Sequence, residues 1–401
     1  MARRTADLVI VGAGTVGGWA SVFATELGAE RVVVIDRDAA GAGASSRAAG
    51  MVRAQGGTPD TVRLGSWSIE FYRRQASRYG TDSGFVGRGY VILAVTASEE
   101  RAAHERIAMQ RATGLDARWV GRDEVRRLIP AMAARGYRGG SYVATDGWVD
   151  PPRNVRAYGL AMQRAGVVLR EGGAFSGLRR GRGGRITGIE TSEGPIAAGH
   201  VLLTGGPGLH AVARIAGATA WVGYARHQVA VTAPSPALHP DTTAMAFDMG
   251  AGIYWRPEEG GFLWGMSNPA ETPGAGREVD WAYLATMRER LHRLVPATRR
   301  LGTKKVWAAT IEYTPDHQPI VGPLVTDRAE ELAEVSIASA CGHGLMWGPA
   351  VARLAADHAT GRRTRVVRRP SDFRMDRFDE QGRSPLTDPV ALPFPVTLPE
   401  D

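Results

Sequence analysis

The chain has 401 residues, of which 44% are apolar and 22% charged, as in ordinary globular proteins. A chain of this length is longer than a single hydrophobic core usually accommodates, so two closely joined domains are expected. No stretch approaches the roughly 20 apolar residues of a membrane span, so no membrane partner is expected. A single cysteine, Cys341, excludes a disulfide framework and a cysteine-based metal site, and no metal site is predicted.

The N-terminus and the net charge bear on location and partners. Arg3 and Arg4 precede an apolar run, but no small-residue cleavage site follows, so a cytoplasmic protein is expected. The net charge is +8, yet the arginines are scattered, and their densest cluster, at 179–185, lies among glycines that indicate a hairpin turn. We interpret the charge as a solvated basic surface that could attract anionic substrates, and expect no nucleic-acid partner.

The first predicted element is a βαβ unit at residues 7–37. An apolar run at 8–11 leads into a turn of the form G-x-G-x-x-G, and a helical segment follows. A second apolar run at 32–35 ends in an acid. Strand, glycines, helix, strand and acid in this order are typical of a dinucleotide-binding site.

The glycines and the acid of this unit have separate physical roles. Gly12 permits the tight turn, Gly14 lets the backbone approach a pyrophosphate at the helix N-terminus, and Gly17 lets the helix lie close to the strand. Asp36 falls about 20 residues further on, where a carboxylate can hold a ribose 2′-hydroxyl. An acid at this place disfavours NADP and leaves NAD and FAD open.

The rest of the chain shows helical and strand patterns in alternation, with a small-residue loop at 39–57 that is suited to lie against a ligand. The tail from residue 367 is rich in proline and charge and is expected to extend over the surface or a partner subunit. In chain order the predicted elements are a helix at 62–79, a strand at 89–95, helices at 98–114 and 155–164, strands at 167–170, 186–193 and 199–203, antiparallel strands across 221–265, a helix at 280–294, a strand at 335–340 and a helix at 348–360.

The order of these elements predicts one discontinuous domain that closes around a single cofactor. The expected fold class is α/β (α+β overall), with a discontinuous Rossmann-like cofactor-binding domain and an antiparallel-sheet substrate or cap domain. The predicted ranges are 1–80, 146–220 and 305–366 for the cofactor-binding domain, 81–145 and 221–304 for the cap, and 367–401 for the extended tail.

Several short motifs further along carry a family resemblance. With them the chain resembles the D-amino-acid oxidase/sarcosine oxidase superfamily of FAD-dependent oxidoreductases from about residue 7 to 366, and is similar to its glycine oxidase and sarcosine oxidase branch. The resemblance implies FAD as the cofactor. The motifs are the glycine fingerprint, GASSRAAGM at 43–51, GWVDP at 147–151, VLLTGG at 201–206, YWRP at 254–257, TPD at 314–316 with GP at 322–323, and GHG at 342–344.

The resemblance also implies which residues hold the flavin. The loop at 45–51 would run beside the flavin ring, and Ala174 would lie near the adenine. The turn at 342–346 would aim backbone N–H groups and a helix dipole at the N1/C2 carbonyl edge, which stabilises reduced flavin. The predicted cofactor-binding residues are Gly12, Ala13, Gly14, Thr15, Val16, Gly17, Asp36, Arg37, Ser45, Ser46, Arg47, Ala49, Gly50, Met51, Ala174, Gly205, Gly342, His343, Gly344, Leu345 and Met346.

The chain departs from the family pattern at positions that bind or activate the flavin. Ala309 and Arg47 stand where relatives attach FAD covalently, so non-covalent FAD is predicted. Leu263 stands where monomeric sarcosine oxidase uses a lysine to activate oxygen, and this leaves the electron acceptor open. Ile311 and Met346 replace two side chains with which relatives grip the substrate carboxylate.

The predicted catalytic residues are Arg53, Glu312, Tyr254, Arg256 and His343. Arg53 would bind a substrate acid or tune the flavin, and Glu312 would face a cationic amine or belong to a structural ion pair. Tyr254 is expected in the pocket wall with Arg256 beside it, and His343 as a proton donor or a packed part of its loop. His227 is interpreted as a sheet residue rather than a base.

The predicted function is oxidation of a C–N bond of an amine or amino-acid-derived substrate, by hydride transfer to flavin N5, giving an imine. The weakened carboxylate grips predict a substrate larger than glycine or sarcosine. Two alternatives stay open: an FAD-dependent 2-hydroxy-acid dehydrogenase, and an FAD-binding subunit active only in a hetero-oligomer. A homo-oligomer is equally compatible with the sequence.

Overall fold

Strands and helices alternate through most of the chain, and the computed structural model describes residues 6–271, 274 and 276–386. Arg3, Arg4 and the predicted tail from residue 387 onward lie outside the described residues. The elements are β1 Ala6–Val11, α1 Thr15–Glu26, β2 Val32–Asp36, β3 Met51–Val52, α2 Pro59–Tyr79, β4 Tyr90–Ala94, α3 Ala97–Ala112, β5 Arg118–Gly121, α4 Arg122–Leu128, β6 Gly139–Val143, β7 Gly147–Trp148, α5 Pro151–Arg164, β8 Val168–Glu171, β9 Phe175–Arg180, β10 Ile186–Thr191, β11 Ile196–Leu203, α6 Leu209–Ile215, β12 Gly223–Thr232, β13 Met245–Asp248, β14 Ile253–Glu258, β15 Gly261–Ser267, α7 Trp281–Leu294, β16 Thr303–Tyr313, β17 Ile320–Val325, β18 Glu331–Ser339 and α8 Gly348–Ala359.

The first sheet has the order β17-β18-β11-β1-β2-β8, with β9 and β10 attached beside β11. Strand β1 pairs in parallel with both β2 and β11, and β18 pairs in parallel with β11. Helices α1, α2, α5 and α8 pack together on one face of this sheet. The glycine-rich turn therefore follows the central strand at the carboxyl edge, where parallel α/β sheets bind their ligands.

The second sheet has the order β16-β12-β15-β14-β13-β4-β6-β5 and is antiparallel except for the pair of β4 with β13. Its core includes the fully buried Trp255 and Trp264 and the apolar side of helix α7. Helix α7 begins where the Asp280 carboxylate accepts the backbone N–H of Tyr283. The mixed α/β architecture with a separate, mainly antiparallel sheet is the predicted one.

Two features place segments differently from the sequence-based division. Strand β16 pairs along its length with β12, so residues 303–313 belong to the second sheet although the prediction grouped 305–366 with the first. Residues 370–377, within the predicted tail, form two short 3-10 turns that bury Phe373 and Met375. In both cases pairing and packing with distant residues decide the placement. Within the described ranges, no helix combines the length and apolar character needed to cross a membrane.

Candidate functional site

A cavity of about 920 Å³ is lined by residues of both sheets. At one end it meets the glycine-rich turn after β1 and the end of β2. At the other end it meets the turn before α8 and one face of the second sheet, with the 43–51 loop along its side. The cavity thus connects the glycine-rich turn, Asp36, the 43–51 loop and the turn before α8, which are four of the predicted cofactor segments.

The turn after β1 and the first turn of helix α1 each contain one position that accepts only glycine. Gly12 has φ +106°, and a Cβ there would lie 2.6 Å from the carbonyl oxygen of Thr204. A Cβ at Gly17 would lie 1.9 Å from the carbonyl oxygen of Gly12. Helix α1 therefore approaches β1 closely and begins at Thr15, with its N-terminus on the cavity wall.

Asp36 is held at the cavity by two backbone hydrogen bonds. Its Oδ2 accepts the N–H of Ala13 at 2.7 Å and its Oδ1 accepts the N–H of Asp38 at 2.9 Å. Tyr158 donates its hydroxyl to the carbonyl of Ala13 at 2.9 Å, which fixes the same turn from helix α5. The carboxylate lies where a ribose hydroxyl is expected in this class of site.

The 43–51 loop is tied to both neighbouring elements. Ser45 Oγ accepts the backbone N–H of Thr15 at 3.0 Å, and the Arg47 guanidinium donates to the Gly43 carbonyl at 3.0 Å. The indole N–H of Trp307 donates to the Arg47 carbonyl at 2.8 Å. Met51 lies opposite Trp148 in a short two-stranded ladder. These contacts hold the small residues of the loop against the cavity.

The turn before α8 carries two consecutive residues with positive φ, Cys341 at +51° and Gly342 at +71°. The carbonyl of Cys341 lies 2.6 Å from Nδ1 of His343, so Nδ1 carries a proton that it donates to this oxygen. Burial, and next the charge of Arg53, lower the pKa of His343 to about 3. His343 is therefore neutral, and its lone pair is on Nε2. This supports its interpretation as a packed loop residue over that of a proton donor.

Arg53 is a buried cation on the cavity wall, 5% exposed. Its guanidinium donates to the carbonyl of Gln55, and within the described ranges no carboxylate lies within 4 Å of it. Asp146, fully buried behind the loop, accepts the N–H of Ala54 at 2.8 Å and the Gln55 amide at 3.0 Å. Burial raises the pKa of Asp146 to about 7.

Glu312 is a buried acid on the wall of the same cavity, 7% exposed. Burial raises the pKa of Glu312 to about 7, and hydrogen bonds from its own N–H and that of Gly342 only partly oppose this. No cationic side chain of the described part of the chain lies within 4 Å of its carboxylate. Arg53 and Glu312 thus line one cavity without an ion pair to any described side chain, and the charge of Arg53 acts on Asp146 only over a longer distance.

Tyr254 and His227 form a close pair on the cavity-facing side of the second sheet. Tyr254 Oη lies 2.5 Å from His227 Nε2, and His227 Nδ1 lies 2.8 Å from Ser267 Oγ. Burial lowers the pKa of His227 to about 4 and raises the pKa of Tyr254 well above its usual value, so both groups are neutral.

Arg256, predicted beside Tyr254 as a substrate-side residue, does not line the cavity. It is 1% exposed, its Nε donates to the Ala49 carbonyl at 2.7 Å, and it pairs with Glu258. Arg256 lies two residues beyond Tyr254 on the same face of β14, and at this point further along the strand it contacts the back of the 43–51 loop. We interpret it as a residue that positions this loop.

Most of the other predicted site residues line the cavity, and a few support it from behind. Ala13, Gly17 and Ser46 lie in the lining segments without facing the cavity, and Ala174 lies at the start of β9, away from it. Sequence reasoning missed several wall residues. Most of them lie on β4, β12, β13, β15 and β16, and the pairing that aligns these strands is not visible in the chain, whereas Arg277 lies outside the strands. Only strand alternation around Tyr254 could have suggested them. They are Tyr90, Tyr224, Phe247, Met266, Arg277 and Tyr313, and His227 was placed in the sheet without a role.

The residues present fit an FAD molecule. An adenosine diphosphate suits one end of the cavity. There it would meet the two glycines that exclude a Cβ, the helix N-terminus at Thr15 and the carboxylate of Asp36. The turn at 342–346 and helix α8 suit the pyrimidine edge of a flavin.

Comparison with known proteins decides the family. A family model described as "FAD dependent oxidoreductase" matches residues 7–358. The chain belongs to this family of FAD-dependent oxidoreductases. This match confirms the predicted resemblance to the D-amino-acid oxidase/sarcosine oxidase superfamily. It also confirms FAD as the cofactor and the assignment as an oxidoreductase.

Individual relatives of this oxidoreductase are distant in sequence. Glycine oxidase of Geobacillus kaustophilus is 27% identical over 363 residues, covering 88% of this chain and 92% of the relative. The 4-methylaminobutanoate oxidase (formaldehyde-forming) of Paenarthrobacter nicotinovorans is 24% identical over 362 residues, which are 87% of this chain. The matched region covers only 43% of the length of that relative. The crystal structure of L-proline dehydrogenase from P. horikoshii superposes with a TM-score of 0.86 at 24% identity, covering 95% of this chain and 99% of that one, which shows a shared fold.

Proposed function

We propose that this protein oxidises the C–N bond of an amino-acid-like amine, with hydride transfer to FAD and an imine as product. The observation that carries the proposal is that a buried cation, Arg53, and a buried acid, Glu312, line the same cavity. Arg53 and Glu312 are both buried, and neither has an oppositely charged neighbour within 4 Å among the described residues. A ligand with a carboxylate and an amine would satisfy both groups.

The carboxylate of the substrate is assigned to Arg53. A guanidinium offers two parallel N–H groups to a carboxylate, and such pairs are strong when water is excluded. The loop that carries Arg53 is fixed from behind by Asp146 and by Gln55, whose side-chain amide also donates to the Tyr90 carbonyl at 2.9 Å. The guanidinium is therefore held in place before a ligand arrives.

The amine is assigned to the side of Glu312. Amines are mostly protonated in water, and a protonated amine cannot release a hydride from the neighbouring carbon. With its pKa raised to about 7, Glu312 is suited to accept that proton near neutral pH, and the apolar wall favours the neutral amine. FAD, when bound, accepts the hydride.

The size of the substrate is assigned to the aromatic wall. Tyr90, Phe247, Tyr254 and Ile311 line the cavity beside the charged groups. The names of the relatives, glycine oxidase, 4-methylaminobutanoate oxidase and L-proline dehydrogenase, all describe amines that carry a carboxylate. These observations support a substrate with an apolar part larger than that of glycine.

Anaerobic bleaching of the flavin tests the proposal. Purified holoprotein is mixed with a series of primary and secondary amino acids, the matching 2-hydroxy acids, and the matching amines without carboxylate. Bleaching by amino acids alone supports the proposal, and bleaching by hydroxy acids alone overturns it in favour of a hydroxy-acid dehydrogenase. Activity that appears only on addition of partner chains would favour the subunit alternative, and the rate of reoxidation in air identifies the acceptor.

A further inference from the structure

Two tyrosines on the cavity wall are connected through a histidine and a serine. Tyr254 Oη lies 2.5 Å from Nε2 of His227, whose Nδ1 lies 2.8 Å from Ser267 Oγ. The Ser267 hydroxyl in turn hydrogen-bonds Tyr313. We call these four residues the tyrosine bridge. Tyr254, His227 and Tyr313 line the cavity, whereas Ser267 is fully buried and does not.

The strand register of the second sheet builds this bridge. His227 on β12 lies directly opposite Ser267 on β15, and Tyr254 on β14 lies opposite Gly265 on β15. Because Gly265 has no side chain, the ring of Tyr254 extends across β15 and lies nearly parallel to His227, with ring centroids 5.7 Å apart at 12°. Tyr313 approaches from β16 on the other side of β12.

The protons of the bridge are coupled because every member is neutral. Burial lowers the pKa of His227 and raises the pKa of both Tyr254 and Tyr313. A neutral imidazole has one N–H and one lone pair. The ring nitrogen that carries the proton therefore decides the direction of every hydrogen bond in the bridge.

With the proton on Nδ1, His227 donates to Ser267 and accepts the hydroxyl proton of Tyr254. Tyr254 then offers only lone pairs to the cavity, while Tyr313 accepts from Ser267 and donates its own O–H on the cavity side. With the proton on Nε2 all directions reverse, so Tyr254 donates and Tyr313 accepts. In either state one phenol is a donor and the other an acceptor.

We propose that the tyrosine bridge makes the cavity wall present one hydrogen-bond donor and one hydrogen-bond acceptor together. Such a wall selects amino acids in which the substrate itself keeps an N–H beside an acceptor oxygen. His227 and Ser267 act as positioning residues, and the substrates selected are primary or secondary amino acids over tertiary ones. This inference rests on the proposed function. A site built to pair with an N–H discriminates strongly against an analogue that lacks it, because a buried group is left unpaired.

Two inert ligands of equal shape test the selection. Pyrrole-2-carboxylate has a ring N–H donor where furan-2-carboxylate has an oxygen acceptor, and both carry the carboxylate assigned to Arg53. Their dissociation constants are measured on holoprotein from the change in flavin absorption. We expect the wild type to bind the pyrrole at least about tenfold more tightly, a difference of about 1.4 kcal/mol. In Ser267→Ala, where each phenol can turn independently, the preference should fall to about twofold or less, and Ser267→Thr should restore it.

A matched control is available in the first sheet. Ser336 is also a buried strand serine bonded to a histidine, with Oγ 2.9 Å from Nε2 of His200, but it does not line the cavity. Ser336→Ala should leave the preference unchanged. An unchanged preference in Ser267→Ala, or no preference in the wild type, overturns the inference alone. Failure of the wild type to bind either ligand overturns the proposed function together with it.

A double-mutant cycle gives a second test that does not depend on the Ser267 variant being stable. Tyr254→Phe and Tyr313→Phe each remove one hydroxyl. If the bridge couples them, their effects on affinity for pyrrole-2-carboxylate are non-additive, with the double variant losing at least about threefold less than the product of the single losses. Additive losses within error would overturn the coupling.

Discussion

The Oδ1 atom of Asp146 lies 2.8 Å from the backbone nitrogen of Ala54, the residue that follows Arg53. The second carboxylate oxygen accepts the side-chain amide of Gln55 at 3.0 Å, and Ser141 donates to that amide's oxygen at 2.8 Å. Ser141 on β6 and Asp146 in the loop after β6 thus hold residues 53–55 from behind. The position of the Arg53 guanidinium depends on this buried network.

The network should make stability depend on pH. Burial raises the pKa of Asp146 from 3.8 to about 7 in the folded protein, so folding favours the protonated acid. This contribution is fully present below about pH 4 and is lost as the pH rises to about 7. Relative to Asp146→Asn, the wild type should therefore lose on the order of 4 kcal/mol of unfolding free energy between pH 4 and 8.

Urea unfolding at several pH values measures this difference. The altered hydrogen bonds of Asp146→Asn shift its stability by an amount that does not change with pH, so the slope of stability against pH is the decisive quantity. The exposed Glu193→Gln should follow the wild-type curve. Parallel curves of unfolding free energy against pH for the wild type and Asp146→Asn would contradict the raised pKa of Asp146.

Replacing Arg53 should weaken carboxylate binding selectively. Arg53→Gln removes the buried cation, and we expect a loss of about 3 kcal/mol, roughly a hundredfold, in affinity for a carboxylate ligand. Flavin difference spectra with acetate and with a neutral amide of equal size measure the effect. Equal weakening of both ligands would show a general disturbance of the cavity, and the exposed Arg101→Gln serves as the control.

Replacing Gly17 by alanine should release the cofactor. A Cβ at Gly17 would lie 1.9 Å from the Gly12 carbonyl, so helix α1 must move away from the turn. The matched control is Gly159→Ala in helix α5, where nothing lies within 4 Å of the new Cβ. We expect FAD content to fall at least about tenfold in the first variant, and the control to keep its FAD and gain about 0.5–1 kcal/mol. Full FAD content in Gly17→Ala would refute the close approach.

The buried pair of Asp316 and Arg377 should anchor the C-terminal segment. Arg377 Nε and Nη2 lie 2.7 and 3.0 Å from the carboxylate, and the side chains are 5% and 2% exposed. Arg377→Ala leaves the acid unpaired and should cost about 3–5 kcal/mol in urea unfolding. Arg383 is exposed and pairs with Asp379, so its replacement by alanine should lower the free energy of unfolding by less than about 1 kcal/mol. Similar small losses for both would show that the segment is not anchored this way.

FAD should be held without a covalent bond. Ala309 and Arg47 both line the cavity at the two positions where the family resemblance implies covalent attachment, and they offer neither a cysteine sulfur nor a histidine nitrogen to a flavin. Cys341 is fully buried with its sulfur 3.0 Å from the Thr314 hydroxyl. Acid precipitation should therefore leave all the yellow colour in the supernatant, and a coloured, fluorescent protein band after denaturing electrophoresis would show covalent attachment.

Local patterns predicted some parts of the site and not others. The turn at Gly12 and the turn before α8 were predictable because strand, glycine and helix signals lie within a few residues of one another. Glu312 and Tyr254 were found because they flank recognisable motifs. Asp146 and Tyr313 were not found as site residues, and His227 was given no role. The chemistry of His227 depends on Ser267, which is 40 residues away in the chain. That of Asp146 depends on Ala54, which is 92 residues away.

By itself, the sequence determined the dinucleotide-binding unit, since this unit depends on short-range periodicity and on glycines. Its further motifs carried the resemblance that implied the family and the FAD cofactor. The tertiary structure alone decided that Arg53 and Glu312 share a cavity without pairing, that Arg256 supports a loop, and that four residues join into the tyrosine bridge. These are matters of strand register and burial. Both arise only when distant segments pack together, because burial sets the pKa values and register sets which side chains meet.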